Sequence, residues 1–519
     1  MPHTSFCQLI SSGLLFVIGI VFLGRNAEAR GSKGFSHHRN LDEFKICLIR
    51  IYHSYAEHEY AFSSPPKSIF TAMKTATTLS PAHLPKVSEK FLHHVWKFGW
   101  FSSTNLQTDT GQKIEIMHPG VHNHNAGPDF MNARIRIDET LWWGNIEIHI
   151  RASDWHRHQH QTDEHYKNVI LHVVLYNDTS IYLNTPGDLP VLDLSQCLNW
   201  DIWESHQKWL NNYRWIPCES VLHKADAAYW FMANDRLLIE RLHHRIDGIF
   251  ELLERTQGDW SQVAFIELCK AFGFKTNSLA MEMLAHSIPY TVLSRHSSDL
   301  LQIEALLFGQ AGMLYSKEPD DYEWRLQQEY AVLRLKHNLT PLSNNIWNFG
   351  KVRPYNSPIL RLAQLAHVLS RTEHLASSLL HLAQPELNEL IKGEAHPYWR
   401  THKQFGAPRK KPMQTTMGKS SIERIIINVV ARLRFAHGKY NNNLSMMTDA
   451  MSLLQSIQAE ENIITENWSK LGIEAQHAGD SQALLQLYGV YCTHEKCIEC
   501  PIGIKLLHNE THETHSQSA

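Results

Sequence analysis

The sequence predicts an α+β protein, with an N-terminal mixed β-sheet domain followed by a mainly α-helical region. Two observations carry this prediction. Between about residues 110 and 195, apolar and polar residues alternate in short runs separated by turn residues, which is the pattern of half-buried strands. After Trp200 the apolar residues recur at helical spacing instead.

The predicted sheet follows a short helix. Phe91, Leu92 and Val95 recur at helical spacing, and a turn at Gly111-Gln112 then precedes a first strand at Ile114. The other predicted strands lie at about residues 129–137, 142–151 and 168–176, with a short pair around Ile181 and Val191 and turns at residues 138–140 and 186–187.

Amphipathic helices account for the rest of the chain. Leu238, Leu242 and Ile246 form one apolar stripe, and Val263, Phe265, Ile266, Leu268 and Phe272 form another. No fixed-period repeat is visible, which argues against a solenoid. The predicted organisation is a poorly organised extension or leader (1–86), a β-rich domain (87–200), a helical domain (201–400) and a basic helical segment with a cysteine cluster (401–519).

Composition indicates an ordinary globular protein. The 519 residues are 43% hydrophobic, and the formal net charge of -3 does not by itself identify a nucleic-acid partner. Eight cysteines in so long a chain do not make a disulfide scaffold, which favours a cytoplasmic location. The apolar run from Leu14 to Leu23, followed by Ala27-Glu28-Ala29, resembles a signal peptide, so secretion is the alternative. The run is too short for stable membrane insertion.

The strand from Trp142 to Ile150 carries the first candidate site. Its alternation puts Glu147 and His149 on the face opposite Ile146 and Ile148. A three-residue hairpin at residues 138–140 would pair Ile137 with Leu141 and place Asp129 opposite His149. A loop one residue shorter would send Asp129 to the other face.

Two carboxylates on neighbouring strands suit a divalent metal. Asp129 and Glu147 are hard oxygen ligands of the kind that hold Mg²⁺ or Mn²⁺, and such an ion activates water and neutralises phosphate charge. The imidazole of His149 can serve as a base near neutral pH. The alternative is a sheet with a solvated polar face.

This pattern resembles the restriction-endonuclease-like PD-(D/E)XK nuclease superfamily. Its signature appears here as Pro128-Asp129 and then Glu147-Ile148-His149, with histidine at the position of the signature lysine. The resemblance implies a Mg²⁺-dependent nuclease that hydrolyses phosphodiester bonds of DNA or RNA, with Asp129 and Glu147 as metal ligands and His149 as the base. Because the lysine is absent, a non-catalytic nucleic-acid-binding or protein-binding module on the same fold stays open.

Histidines after this strand indicate a second possible metal site. His156, His158 and His160 alternate, and if the segment is extended they share a face, which would suit Zn²⁺ in a zinc hydrolase. His172 lies in the next apolar strand, either as a core histidine or presented to the metal site.

Three cysteines near the C-terminus, Cys492, Cys497 and Cys500, have a spacing that suits Zn²⁺ or an iron–sulfur cluster. A fourth ligand is missing locally, and His494, His508 or Cys269 are the candidates. Buried structural thiols are the alternative.

A basic stretch from Arg400 to Lys439 carries ten Lys or Arg residues against the single acid Glu423. Such a stripe could hold the phosphate backbone of DNA or RNA, although a charge run is usually a solvated face. The candidate nucleic-acid contacts are Arg409, Lys410, Lys411 and Lys419.

The chain also resembles a bacterial family known only as a domain of unknown function. The resemblance rests on the stretches 123–130, 143–149 and 168–174 and on Ser153-Asp154-Trp155. It extends from about Phe91 to Gly503, including Cys492–Gly503, and implies no established activity.

Overall fold

The predicted N-terminal helix is the first element described. In this computed structural model, which describes residues 86–123, 126–179, 189–350 and 353–516, helix α1 spans Glu89–Phe98. It begins after Ser88, whose hydroxyl accepts the amide hydrogen of Phe91, and it ends at Gly99 in a left-handed conformation. Outside the described residues lie the extension up to residue 85, the signal-like run Leu14–Leu23, Ile181 and the turn Pro186-Gly187.

The strands between residues 114 and 193 form a six-stranded mixed sheet in the order β1-β3-β4-β5-β6, with β2 paired to β3, and His402–Gln404 and Ala407–Pro408 form a separate two-stranded sheet. Strands β1 to β4 pair antiparallel, whereas β5 runs parallel to β4 and β6 parallel to β5. The bounds are β1 Ile114–His118, β2 Val121–His122, β3 Phe130–Ile137, β4 Thr140–Arg151, β5 Val169–Tyr176 and β6 Val191–Asp193. Between β4 and β5 lie the short helix α2, Asp154–Arg157, and two 3₁₀ turns, His160–Thr162 and Glu164–Tyr166.

The hairpin between β3 and β4 differs from the prediction. Ile137 pairs with Thr140, so two residues close the turn, and the predicted pairing of Ile137 with Leu141 is wrong. Asp138 makes the tighter turn possible because aspartate tolerates its positive φ of 50°. The register shifts again between Phe130 and Ala133, where Asn132 has a φ of 57°, and beyond this bulge Phe130 pairs with Ile146.

The second shift cancels the effect of the first on the side-chain faces. A turn shortened by one residue would send Asp129 to the opposite face, but the bulge adds one residue to β3 and reverses the face once more. Asp129 therefore lies beside Glu147, and its backbone amide donates to Glu147 Oε2 at 3.1 Å.

Strand β4 lies at the centre of the sheet, between β3 and β5, and helix α1 packs against it. Ile146 and Ile148 are buried on one face, as predicted. Glu147 and His149 on the other face are buried as well, with only 4% and 2% of their surface exposed. A solvated polar face is therefore wrong for this strand.

The remainder is mainly helical, which confirms the α+β prediction. The two apolar stripes are buried in the helices Ala227–Arg255 (α4) and Trp260–Phe272 (α5). The longer helices are α3 Trp200–Asn211, α4 Ala227–Arg255, α5 Trp260–Phe272, α6 Ser278–Ser287, α7 Tyr290–Arg295, α8 Leu300–Gln310, α9 Asp321–Lys336, α10 Pro358–Leu369, α11 Leu375–His381, α12 Gln384–Ile391, α13 Lys419–Ile425, α14 Ala431–Tyr440, α15 Leu444–Gln455, α16 Ile463–Lys470, α17 Ala478–Gln486 and α18 Pro501–Ser516.

All described residues belong to one compact unit of the chain. The boundaries predicted near residues 200 and 400 remain predictions. Within the part of the chain that the structure describes, no helix has the length and apolar character needed to cross a membrane.

Candidate metal centre

Three imidazoles converge beside the polar face of β4. The ligand nitrogens of His149, His158 and His160 all lie within 4.8 Å of one another. His149 Nε2 is 3.1 Å from His158 Nδ1, and the two rings meet edge to face. Three such nitrogens around one point are the donor arrangement of a transition-metal site with an open position.

The backbone after β4 explains this convergence. The segment is not extended: Asp154–Arg157 forms the helix α2, and Gln159 then takes a left-handed conformation with a φ of 61°. This turn lets His158 and His160 both join His149. His156 lies on the helix, is exposed and is not part of the group, so the face expected for three alternating histidines does not form.

Glu147 is the carboxylate nearest the imidazoles. Its Oε1 atom is 3.3 Å from His160 Nε2 and 3.6 Å from His149 Nε2. The geometry of this approach is not that of a regular hydrogen bond. His160 Nε2 is therefore buried and has no hydrogen-bond partner. Burial raises the pKa of Glu147 to about 7, with the charge of Asp129 adding to the rise and His160 opposing it.

Asp129 lies beside Glu147, as the acid pair requires. Its Oδ2 atom accepts the backbone amide hydrogen of Ile148 at 2.9 Å and lies 3.4 Å from His93 Nε2. Each acid therefore has one oxygen engaged by a backbone amide of the neighbouring strand. Sequence reasoning missed His93, because only the packing of α1 on β4 brings it to the site.

His172 lies behind His149 rather than within the three-histidine group. It pairs with Glu147 across the parallel strands β4 and β5, and its Nε2 is 2.8 Å from His149 Nδ1. When the Nδ1 proton of His149 is donated to His172, the His149 Nε2 lone pair faces the other two imidazoles. The geometry gives His172 the place of a partner that orients a ligand.

Burial keeps the imidazoles of His149 and His172 neutral. Desolvation, followed by the charges of His160 and His158, lowers the pKa of His149 to about 3. Desolvation also lowers the pKa of His172 well below its ordinary value. A neutral ring has a lone pair to offer a metal, whereas a protonated ring has none.

Two aromatic side chains hold the rings in place. Tyr166 stacks on His160 with 3.8 Å between ring centroids. Trp155, almost wholly buried, packs against both His160 and His172 at 5.4 and 5.3 Å. Such packing restricts the rotamers of both histidines, which is what precise metal ligation needs.

The donor set fits a first-row transition metal. Three imidazoles and one carboxylate suit Zn²⁺, and they also accept Mn²⁺, whereas Mg²⁺ prefers an all-oxygen shell. His149, His158 and His160 would hold the ion, and the Glu147 carboxylate would lie beside it.

The predicted cysteines lie in a separate region. Cys492, Cys497 and Cys500 are buried and form no disulfide. Of the proposed fourth ligands, Cys269 is fully buried in α5, and nothing but burial acts on its pKa, which is raised. Cys218, which sequence reasoning did not consider, is also buried, and burial, followed by the nearby Cys500 and Cys497, raises the pKa of its thiol.

The basic stretch divides into surface and interior residues. Lys410, Lys411 and Lys419 are exposed. Arg409 is partly buried and donates from Nε to the carbonyl oxygen of His402 at 3.0 Å. Further along, Arg432 bonds to Glu267 and to the backbone of α4, and Arg434 bonds to the carbonyl oxygens of Leu379 and Leu382. The side chains of these last two arginines are committed to packing rather than to a ligand surface.

A family model described as "Protein of unknown function (DUF2851)" matches residues 89–463, well over half of the chain. The match covers the sheet and the imidazole cluster and ends before Cys492. No curated protein matches the chain, and no solved structure matches it.

Proposed function

Because this chain belongs to that family, whose description assigns no activity, we propose a function from its own residues: a metal-dependent hydrolase of phosphodiester bonds in DNA or RNA. The observation that carries the proposal is the convergence of three imidazole nitrogens within 4.8 Å beside the buried carboxylate of Glu147. His149, His158 and His160 are the metal ligands in this proposal.

Glu147 is the proton acceptor of the proposed reaction. When bound, a zinc-class ion lowers the pKa of a coordinated water and neutralises charge on a phosphate. The Glu147 carboxylate is placed for proton transfer beside such an ion, because its Oε1 lies 3.3 Å from His160 Nε2 and 3.6 Å from His149 Nε2. Asp129 orients this base, because its backbone amide donates to Glu147 Oε2 while its own carboxylate is tied to β4.

The preference for a phosphodiester rests on two further features. Asp129 directly precedes β3 and Glu147 lies on its antiparallel neighbour β4, in keeping with the placement implied by the resemblance to restriction-endonuclease-like nucleases. The exposed Lys410, Lys411 and Lys419 provide cationic surface for a polyanion. His149, at the position of the signature lysine, is proposed to have become a metal ligand, which would explain a change from a magnesium-type to a zinc-type or manganese-type centre.

A cleavage assay tests the proposal. Metal-free protein is reconstituted with Zn²⁺, Mn²⁺ or Mg²⁺ and incubated with single-stranded DNA, double-stranded DNA and RNA, and with peptide and carboxylic-ester substrates for comparison. We expect nucleic-acid cleavage with Zn²⁺ or Mn²⁺ and a rate lower by roughly 100-fold or more in Glu147→Gln, the usual loss on removing a general base.

His156→Ala is the matched control, because it removes an exposed histidine near the cluster but outside it. Equal cleavage by the wild type and Glu147→Gln contradicts the mechanism. Metal binding without hydrolysis of any substrate supports a non-catalytic binding module instead, and cleavage of esters or peptides alone supports a zinc hydrolase of another class.

A further inference from the structure

The C-terminal cysteines lie on a tightly folded segment that ends in α18. Cys492 begins a short 3₁₀ turn, Glu495 takes a left-handed conformation, and the amide of Cys500 donates to the carbonyl oxygen of Lys496 at 3.0 Å. Gly503 allows the first turn of α18 to approach, because a Cβ there would overlap the carbonyl oxygen of Cys497. The fold of this segment therefore holds the backbone of Cys497 against the first turn of α18, which begins directly after Cys500.

Cys218 reaches this segment from a distant part of the sequence. It precedes the 3₁₀ helix Glu219–Lys224, and α18 packs against both this helix and α3. Two tyrosine hydroxyls make hydrogen bonds to the C-terminal segment: Tyr229 donates to the carbonyl oxygen of Pro501, and Tyr213 donates to Glu495 Oε1, each at 2.8 Å.

The four thiols share one buried environment. Cys218, Cys492, Cys497 and Cys500 are each 5–8% exposed, and none forms a disulfide. Burial raises the pKa of the Cys492 thiol, and the nearby Cys500, Cys218 and Cys497 raise it further. Burial likewise raises the pKa of the Cys218 thiol, and Cys500 and Cys497 raise it further. These four buried thiols lie on segments that pack against one another, which sets them apart from scattered core cysteines.

The spacing of the sulfurs bears on what they bind. Four thiolates around one zinc ion, at a Zn–S distance of about 2.3 Å, lie roughly 3.8 Å from each other at the corners of a tetrahedron. Among the described residues, the nitrogens of the three histidines lie within 4.8 Å of one another. No three of the four cysteine sulfurs lie within 4.8 Å of one another. A polynuclear cluster separates its thiolates more widely than a single ion does.

We propose that Cys218, Cys492, Cys497 and Cys500 bind an iron–sulfur cluster that joins the α3–α4 connection to the C-terminal segment. Thiolates are the ligands that such clusters use, and four are the usual number. Burial raises the pKa of the Cys500 thiol to about 11, and the backbone amides of Gly503 and Ile502 oppose that rise by hydrogen bonding to the sulfur, as amides do at cluster sulfurs. The proposal is independent of the hydrolase activity.

Anaerobic reconstitution of the full chain with ferrous iron and sulfide tests this site. Acid-labile sulfide reports on the cysteine site alone, because the imidazole centre holds no sulfide. We expect iron and sulfide in equal amounts, with about two or four of each per chain, according to cluster type. We also expect the visible absorption of thiolate-to-iron charge transfer.

Cys218→Ser is expected to lower bound sulfide at least tenfold, whereas Cys197→Ser is the matched control. Cys197 is partly exposed, and its sulfur contacts the carbonyl oxygen of Leu194 rather than another thiol. Stoichiometric zinc without sulfide, or neither metal nor sulfide, would overturn the proposal. So would equal sulfide in Cys218→Ser and the wild type.

If Cys218→Ser does not fold, Mössbauer spectroscopy of the ⁵⁷Fe-reconstituted wild type decides the ligand count. Irons with uniform thiolate ligation support Cys218 as the fourth ligand, and one differently ligated iron rules it out.

Discussion

Removing the exposed His158 imidazole tests the metal centre with little risk to the fold. His158 contributes one of the three converging nitrogens, yet its side chain lies at the surface, so His158→Ala leaves no cavity in the core. His156→Ala is the matched control, because it makes the same change two residues earlier on α2, outside the cluster.

The expected loss of zinc affinity in His158→Ala follows from the number of metal ligands. Structural zinc sites with four protein ligands bind with about 10–16 kcal/mol, so one ligand accounts for roughly 2.5–4 kcal/mol. At about 1.4 kcal/mol for each factor of ten, His158→Ala should bind zinc roughly 100- to 1000-fold more weakly than the wild type. His156→Ala should bind zinc with unchanged affinity.

Competition with a chromogenic chelator at fixed pH measures these affinities directly. Circular dichroism of the metal-free proteins establishes that all three are equally folded. The three-imidazole centre is refuted if the zinc affinity of His158→Ala stays within about threefold of the wild-type affinity. It is also refuted if His156→Ala weakens zinc binding as much as His158→Ala does.

Three other predictions concern a metal-orienting residue, a buried acid and the basic surface. His172→Gln should weaken zinc binding by about 10- to 100-fold, the usual cost of losing an orienting partner, and a purely structural role would lower thermal stability without changing the affinity. Glu304 is buried, and its pKa is raised to about 7, so its contribution to stability is complete below pH 4.5 and is lost as pH rises through 7. Between pH 4.5 and 8, the free energy of unfolding measured with urea should therefore fall by about 3 kcal/mol more in the wild type than in Glu304→Gln. Parallel pH curves for the two proteins would contradict this. Replacing Lys410 and Lys411 with glutamate should reduce the magnitude of the slope of log DNA affinity against log salt concentration by up to about 2. The same change at the exposed Lys336 should leave this slope unaltered. Equal slopes for both variants would remove this surface from the proposal.

Strand periodicity predicted correctly that Glu147 and His149 are neighbours on one face of β4. A strand puts alternate residues on one face whatever surrounds it, so Glu147 and His149 were bound to be neighbours. Alternation says nothing of what covers that face. The burial that raises the pKa of Glu147 and lowers that of His149 comes from segments elsewhere in the chain.

The position of Asp129 could not be derived from the sequence with the same security. Two unpredicted features, the two-residue turn at Asp138 and the bulge at Asn132, each reverse the face on which Asp129 lies, and together they restore it. The expected neighbours were therefore reached through a register different from the predicted one. A single residue more or less decides such a face, and local residue preferences discriminate poorly between turns that differ by one residue.

The sequence by itself determined the elements, the polar face of β4 and the residue types able to bind metal, because backbone geometry sets the spacing of neighbours along a strand or helix. Only the tertiary structure decided which of those residues meet. The left-handed turn at Gln159 brings His158 and His160, rather than His156, to His149. The packing of α18 on α3 brings Cys218, rather than Cys269, to the C-terminal cysteines. Both outcomes depend on loop conformation and on contacts between residues far apart in the chain, which no local pattern encodes.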